Sequence, residues 1–153
     1  MHEFIFSINS PKIIFGVGSK KKLSFFIEEI NCKRALVLSG NFQIRAAKNL
    51  SSELGNLSVG LFGNAKMHSP VDITNEVLKI VKESKADCIV SFGGGSTIGL
   101  GKAIALRTNL PQFAIPTTYA GSEVTSILGQ TENGIKKTTK NLKILPEYVI
   151  YDP

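Results

Sequence analysis

Residues Cys88-Ile89-Val90-Ser91-Phe92-Gly93-Gly94-Gly95-Ser96-Thr97 place a short apolar run directly before three consecutive glycines and two hydroxyl side chains. The apolar run is typical of a buried strand, and the residues that follow predict a helix through Ala105. Three glycines allow a sharp turn and let a ligand approach the main chain. The free amides and the positive dipole end of the helix favour an anion, so phosphate or pyrophosphate is the natural occupant. We expect Ser96 to be the helix N-cap or to bond a phosphate oxygen.

This turn differs from two common phosphate-binding motifs. In a Walker A loop, GxxxxGK[ST], Ser96 would replace the first glycine and Ala103 would replace the final Ser or Thr. The Rossmann pattern GxGxxG fails because Ile98 stands at its third glycine. A nucleotide-phosphate site is still favoured over a purely structural turn. Gly99 and Gly101 each lower the stability of the helix by about 1 kcal/mol relative to alanine. Close packing of the helix against the sheet or a ligand would explain why they are glycines. The alternative is that the two substitutions are simply tolerated.

Short apolar strands alternate with amphipathic helices on both sides of the turn. Strands are predicted over 35–38, 57–62, 88–92, 113–115 and 148–151, and residues 4–8 with 12–15 are predicted to form an N-terminal hairpin. Because parallel strands need crossover helices, the alternation predicts the α/β class, with a doubly wound, Rossmann-like parallel sheet. The alternation lapses over 117–139, which are rich in Thr, Ser and Gly, with a turn at 132–134.

Three helices are predicted before the glycine turn from apolar residues that recur with helical spacing. The first has Ser19 as a candidate N-cap. The second is expected to end at Gly55. The third is expected to begin with a capping box formed by Ser69 and Asp72, with Pro70 at its first helical position.

Composition excludes several classes of protein. The 153 residues are 42% hydrophobic and 20% charged, so fibrous, disordered and disulfide-scaffold proteins are excluded. The uncharged, largely apolar stretch from Cys88 to Gly101 is too short to span a membrane. No signal peptide is evident, so we expect a cytoplasmic protein. The net charge of +6 suits anionic ligands, but the few aromatics among the lysines give nucleic-acid binding weak support. Cys32 and Cys88 have no metal-ligand spacing and are expected to be buried, reduced thiols.

Other polar residues are predicted at the same edge of the sheet as the glycine turn. Thr117, Thr118 and Ser122 follow the strand at 113–115, and ligands of open parallel sheets bind beyond the carboxyl ends of the strands. Their hydroxyls can bond a nucleotide, or they can serve the turns of their own loop. His68 also follows a strand and is a candidate for lining the crevice, with a capping or surface role as the alternative.

Five segments in the same order resemble the N-terminal half of the maleylacetate reductases, a branch of the iron-containing alcohol dehydrogenase superfamily. These segments are Phe15–Gly18, Met67–Val71, Gly93–Leu106, Pro116–Thr125 and Val149–Pro153. The resemblance implies an enzyme that uses NADH or NADPH to reduce maleylacetate to 3-oxoadipate in aromatic-compound breakdown. It also implies that residues 1–153 are an N-terminal dinucleotide-binding domain.

The resemblance assigns roles to individual residues. Gly93, Gly94, Gly95 and Ser96 match the family's pyrophosphate loop, and the pair Thr117–Thr118 matches its nucleotide-binding loop. Lys137, or a neighbour, matches a region where a lysine approaches the cofactor. Ser39 follows the strand at 35–38 in place of an acidic residue, so nothing there would repel a 2′-phosphate, and we expect NADPH to be accepted as well as NADH.

Two departures from the wider superfamily bear on activity. Gly99 stands where the metal-dependent alcohol dehydrogenases usually have an aspartate, which favours the reductase branch over an alcohol or aldehyde substrate. The family's metal ligands and much of its pocket for a small anionic substrate belong to a helical C-terminal domain, so no metal ligand is assignable here. We therefore expect a fragment that binds dinucleotide without turnover. The alternatives are an alcohol dehydrogenase cofactor domain and a non-catalytic nucleotide-binding or assembly module that forms a homo-oligomer or joins a second chain.

Overall fold

The computed structural model describes residues 9–153. Its strands are β1 (Lys12–Phe15), β2 (Ala35–Leu38), β3 (Ser58–Phe62), β4 (Cys88–Gly93), β5 (Gln112–Pro116), β6 (Ile127–Glu132), β7 (Ile135–Lys140) and β8 (Tyr148–Tyr151). Its α-helices are α1 (Leu23–Glu29), α2 (Ile44–Glu53), α3 (Val71–Ser84) and α4 (Gly95–Thr108). Short 3₁₀ turns precede α1 and α2, and others follow α2 and flank the β6–β7 pair.

Six strands form one sheet in the order β1-β8-β5-β4-β2-β3, and every pair in it is parallel. The predicted doubly wound α/β fold is therefore confirmed. The described arm of the expected N-terminal hairpin, β1, pairs in parallel with β8, so that Lys12 lies opposite Tyr148. The other predicted arm, at 4–8, lies outside the described residues.

Helices cover both faces of the sheet because alternate side chains of the buried strands point in opposite directions. On one face, Val37 and Val90 pack with α1 and α2 residues such as Ile27. On the other, Leu36 and Leu38 pack against α3 and α4. All four residues of β2 are buried, as expected for a strand covered on two sides.

A second, two-stranded sheet is a hairpin that the sequence predicted only as a turn. Strands β6 and β7 are antiparallel, and Asn133 and Gly134 between them have φ values of 51° and 76°. Positive φ at both central residues is the geometry of a type I′ turn, for which Asn-Gly is favoured. Leu128 anchors the hairpin by packing against Ala103 of α4.

The predicted helix caps at the first and third helices are wrong. The Ser19 hydroxyl donates to the carbonyl of Tyr151 at 2.9 Å and caps nothing. At α3, Pro70 occupies the N-cap position, and no side chain caps the helix. Ser69 precedes it with a φ of 43°, so the Ser69–Asp72 capping box does not form. The apolar stripe of α3 is nevertheless buried as predicted.

Candidate functional site

The strand order places a crevice at the carboxyl ends of β2 and β4. From β2 the chain moves outward to β3, then returns to the other side of β2 as β4 and moves outward to β5. Open parallel sheets bind ligands at this kind of switch point. Ser39 follows β2, the glycine turn follows β4 and Thr117 follows β5, so the three predicted segments meet at one edge of the sheet.

The glycine turn is tightly packed. A Cβ atom at Gly93 would lie 2.5 Å from Thr97 Oγ1, and one at Gly94 would lie 3.1 Å from the Thr118 side chain. A Cβ at Gly95 would approach that of Ala120 to 3.4 Å. A side chain at any of the three positions would crowd Thr97 or the loop that follows β5. Close packing therefore explains why all three residues are glycines.

Helix α4 directs unpaired amides into the crevice. Gly94 is its N-cap, so the predicted N-cap role of Ser96 is wrong, and Ser96 lies in the first turn. The amides of Thr97 and Ile98 donate to the carbonyl of Gly94 at 3.0 and 3.1 Å. Those of Gly95 and Ser96 have no acceptor within the helix because of their position. The first turn also carries no acidic residue. These two amides and the helix dipole suit an anion.

The loop after β5 lies against the glycine turn. We call residues 117–126 the β5 loop. The amide of Thr117 donates to the carbonyl of Gly93 at 3.0 Å, and Thr118 contacts Gly94 as described above. Both threonine side chains are exposed. With Phe15, Tyr119 and Tyr151 they line an apolar-walled cleft of about 160 Å³.

A second cleft, of about 260 Å³, is lined by the glycine turn itself. Gly95, Ser96 and Ser122 line it together with His68. His68 is exposed with a φ of 62°, and its carbonyl accepts from the amide of Thr131 at 3.2 Å. His68 and Ser122 therefore line the same cleft as the glycine turn.

Gly99 and Gly101 are packed closely, as the sequence suggested. A Cβ at Gly99, which also lines the larger cleft, would collide with Ser69 Oγ. A Cβ at Gly101 would collide with Ser91 Oγ on β4. Both glycines thus let α4 lie close to its neighbours.

Two other predicted residues have internal partners. Ser39 is fully buried, and its hydroxyl donates to the carbonyl of Gly40 at 3.1 Å. Lys137 is exposed and lies 3.5 Å from a carboxylate oxygen of Glu132. The neighbouring Lys136 extends over Gly129, a residue that lines the larger cleft. A Cβ atom added at Gly129 would lie 3.1 Å from Lys136 Cε. The geometry favours Lys136 as the lysine nearer the crevice.

Sequence reasoning missed two buried charged residues beneath the crevice. Lys102 is fully buried, and Glu123 is only 2% exposed. Burial lowers the pKa of Lys102 to about 8, and the charge of Glu123 opposes this shift. The available signal was Lys102 itself, which stands in a helix whose residues 97–105 are otherwise uncharged.

One group of potential metal ligands lies at the opposite end of the sheet. Within residues 9–153, Cys32, Asp87 and Cys88 are the three such side chains whose ligand atoms come within 4.8 Å of one another. Burial raises the pKa of both thiols, and the Asp87 carboxylate accepts hydrogen bonds from the amides of Lys33 and Arg34. Neutral thiols and an already bonded carboxylate suit a structural role better than metal binding.

In the described part of the chain, no helix is long and apolar enough to cross a membrane.

Comparison with known proteins agrees with the resemblance. The family model for iron-containing alcohol dehydrogenase matches residues 10–153. The chain is 52% identical over 152 residues to a maleylacetate reductase of Rhizobium sp. (strain MTP-10005). This alignment covers 99% of the chain and 43% of the relative. The crystal structure of maleylacetate reductase from Agrobacterium tumefaciens has a TM-score of 0.96 and 51% identity, over 99% of this chain and 43% of its own.

A more distant structure shares the fold. Sulfoacetaldehyde reductase from Bifidobacterium kashiwanohense, solved in complex with NAD⁺, has a TM-score of 0.89 at 22% identity, over 99% of this chain and 47% of its own. The chain thus spans less than half the length of these relatives. Its predicted similarity to the N-terminal half of the maleylacetate reductases is confirmed.

Proposed function

Because the chain belongs to the iron-containing alcohol dehydrogenase family, we propose that it is the dinucleotide-binding domain of an oxidoreductase similar to maleylacetate reductase. Such an enzyme adds a hydride from NADH or NADPH and a proton from solvent across the carbon–carbon double bond of maleylacetate and gives 3-oxoadipate. The observation that carries the proposal is the pair of free amides, of Gly95 and Ser96, at the switch point of the sheet.

The two clefts at this edge of the sheet suit the two ends of a dinucleotide. The pyrophosphate would lie at the N-terminus of α4. The 160 Å³ cleft has the aromatic rings of Tyr119 and Tyr151 for a flat base and the hydroxyls of Thr117 and Thr118 for a ribose. The 260 Å³ cleft, with the polar side chains of His68, Ser96 and Ser122, would take the reactive end. When bound, the cofactor supplies the hydride; the residues of this chain bind and orient it.

We expect both NADH and NADPH to bind. Ser39 and Gly40 follow β2, where an acidic side chain would repel a 2′-phosphate. The buried hydroxyl of Ser39 is occupied by the Gly40 carbonyl and adds no charge. Nothing at the end of β2 therefore selects against the additional phosphate of NADPH.

Turnover would need residues outside this chain. The relatives are more than twice as long, and the trio of potential ligands at Cys32, Asp87 and Cys88 lies far from the crevice and does not suit iron. Gly99 supports the reductase branch over an alcohol dehydrogenase, because an aspartate there would collide with Ser69.

A second candidate is a non-catalytic nucleotide-binding or assembly module. Phe15, Val17 and Tyr119 expose 76%, 87% and 101% of their surfaces around the 160 Å³ cleft and the turn after β1. Exposed apolar residues of this kind favour contact with another chain or a second copy. Gel filtration that shows only a monomer across a wide range of concentration would count against this module.

Calorimetric titration of the chain with NADPH and NADH tests the proposal. We expect both to bind, and we expect no oxidation of the bound dinucleotide when maleylacetate is added. A folded chain that binds neither would refute the dinucleotide-binding role. Binding of NADH alone would refute the reasoning about Ser39, and turnover would refute the need for residues outside the chain.

A further inference from the structure

A buried polar cluster lies beneath the crevice, and its charged side chains line neither of the two clefts. It consists of Lys102 on α4, Glu123 and Thr125 on the β5 loop, and Tyr151 on β8. Burying a charge is costly unless partners compensate it, so these residues need an explanation that the phosphate site does not provide.

Lys102 joins α4 to the far end of the β5 loop. Its Nζ donates to Thr125 Oγ1 at 3.1 Å and to the carbonyl of Ile127 at 2.9 Å. Among residues 9–153 it is the only buried lysine. It lies seven residues, or about two helical turns, after Gly95 in the same rigid helix. The position of the loop is therefore set relative to the free amides of α4.

Glu123 joins the same loop to the sheet. Its Oε1 accepts a hydrogen bond from the Tyr151 hydroxyl at 2.8 Å. Its Oε2 is buried and has no hydrogen-bond partner among the described residues. The charge of Glu123 favours the protonated form of Lys102, but the two side chains make no direct ion pair. Each holds the same loop through its own hydrogen bonds, so removal of either residue would release one attachment of the loop.

We propose that Lys102 and Glu123 are positioning residues that hold the β5 loop in register with the glycine turn. The contacts of Thr118 with Gly94 and of Ala120 with Gly95, and the place of Ser122 in the larger cleft, all depend on this loop. The two residues act through the loop and do not contact the dinucleotide. This inference rests on the proposed function, since the register matters for binding only if the crevice holds a dinucleotide.

The first test measures the loop without any dinucleotide, by amide hydrogen exchange in Lys102→Met. We expect the amides of Thr117 and Thr125, which donate to Gly93 and Ser122, to exchange about tenfold faster than in the unmodified chain. Strands β2 and β4 should keep their protection. Lys48→Met, at an exposed position on α2, is the matched control and should change neither. Unchanged exchange in the loop of Lys102→Met would overturn the inference even if NADPH binds.

The hydroxyl acceptor of Lys102 offers a milder variant with a rescue. Thr125→Val removes the acceptor and keeps the shape, while Thr125→Ser restores the hydroxyl. We expect NADPH affinity to fall about three- to tenfold in Thr125→Val and to return in Thr125→Ser. Equal affinity in the two variants would overturn the role of this bond.

A double-mutant cycle tests whether the two residues hold the same loop. We expect Lys102→Met and Glu123→Gln each to weaken NADPH binding by about tenfold or more, and the double variant to weaken it by less than the product. Independent, multiplicative losses would overturn the shared role. If Lys102→Met fails to fold, amide exchange in Thr125→Val and Glu123→Gln decides the question, and an unchanged loop in both variants would overturn the inference. If the unmodified chain binds no dinucleotide, the proposed function fails, while the exchange experiment still decides the positioning role.

Discussion

The substitution Ser96→Asp should weaken dinucleotide binding without lowering the stability of the fold. Ser96 is half-buried in the first turn of α4, beside the free amide of Gly95, and that turn has no acidic residue. An aspartate there would meet the positive end of the helix dipole and stabilise the helix by about 0.3–1 kcal/mol. The same carboxylate would repel a bound pyrophosphate. Ser96→Asp should therefore leave the fold intact or more stable while it weakens binding.

The size of the binding loss follows from two phosphate charges close to the new carboxylate. At about 6 Å and an effective dielectric constant of about 40, each charge is repelled by about 1.4 kcal/mol, or about 3 kcal/mol for two. This corresponds to a loss of roughly a hundredfold in NADPH affinity. Because both partners are charged, the loss should shrink as salt is added.

Calorimetry and thermal unfolding of Ser96→Asp and of its neutral, near-isosteric control Ser96→Asn check the prediction. The control should bind NADPH within about threefold of the unmodified chain, since it adds no charge. Equal affinities for the two variants would mean that the phosphates do not lie at the α4 N-terminus. A large fall in the melting temperature of Ser96→Asp would refute the account of the helix dipole.

Three further predictions concern the core and its charges. Burial raises the pKa of the Cys32 and Cys88 thiols, so both should resist a thiol reagent such as 5,5′-dithiobis(2-nitrobenzoate) until urea unfolds the chain; rapid labelling of the folded protein would contradict this. Gly101→Ala should lower the free energy of unfolding by about 1–2 kcal/mol in urea titrations, because the collision with Ser91 outweighs the gain in helix propensity, and an unchanged midpoint would show that α4 shifts freely. Lys102 has a pKa of about 8 in the folded chain and an ordinary pKa of 10.5. Between pH 8 and pH 10.5 the unfolded chain therefore binds more protons than the folded chain, so this residue makes the free energy of unfolding rise with pH over that range. Lys102→Met should remove that part of the rise, and an identical pH profile would contradict it.

Local patterns predicted most of the sheet and its helices. The predicted stripe of Ile73, Val77, Ile80 and Val81 identified α3, and a continuous apolar run identified β4, because burial on one or two faces leaves a signal in the local sequence. The caps were harder to predict. Ser69 has the composition of a capping residue, but its φ of 43° and its packing against Gly99 direct its hydroxyl elsewhere.

Features that depend on distant residues could not be predicted in this way. Strand β7 is exposed throughout and its lysines and threonines show no apolar alternation, so the hairpin is recognised only by its turn. The cluster at Lys102 needs Glu123, 21 positions later in the chain, and Tyr151, 28 positions after that. Lys102 stands out alone as a charge in an apolar helix segment, but only the folded arrangement brings its partners together.

The place of β8 between β5 and β1 has a consequence for the order of assembly. On the ribosome, β1 emerges before the other described strands, yet its partner β8 lies about 130 residues later. Until Tyr148–Tyr151 have been synthesised, β1 has no partner among the described strands, and the edge of β5 stays open. Closing so long a loop is slow, and an open strand edge invites pairing with other chains. Before residue 151 clears the exit tunnel, the unpaired edge of β5 is therefore open to pairing with other chains.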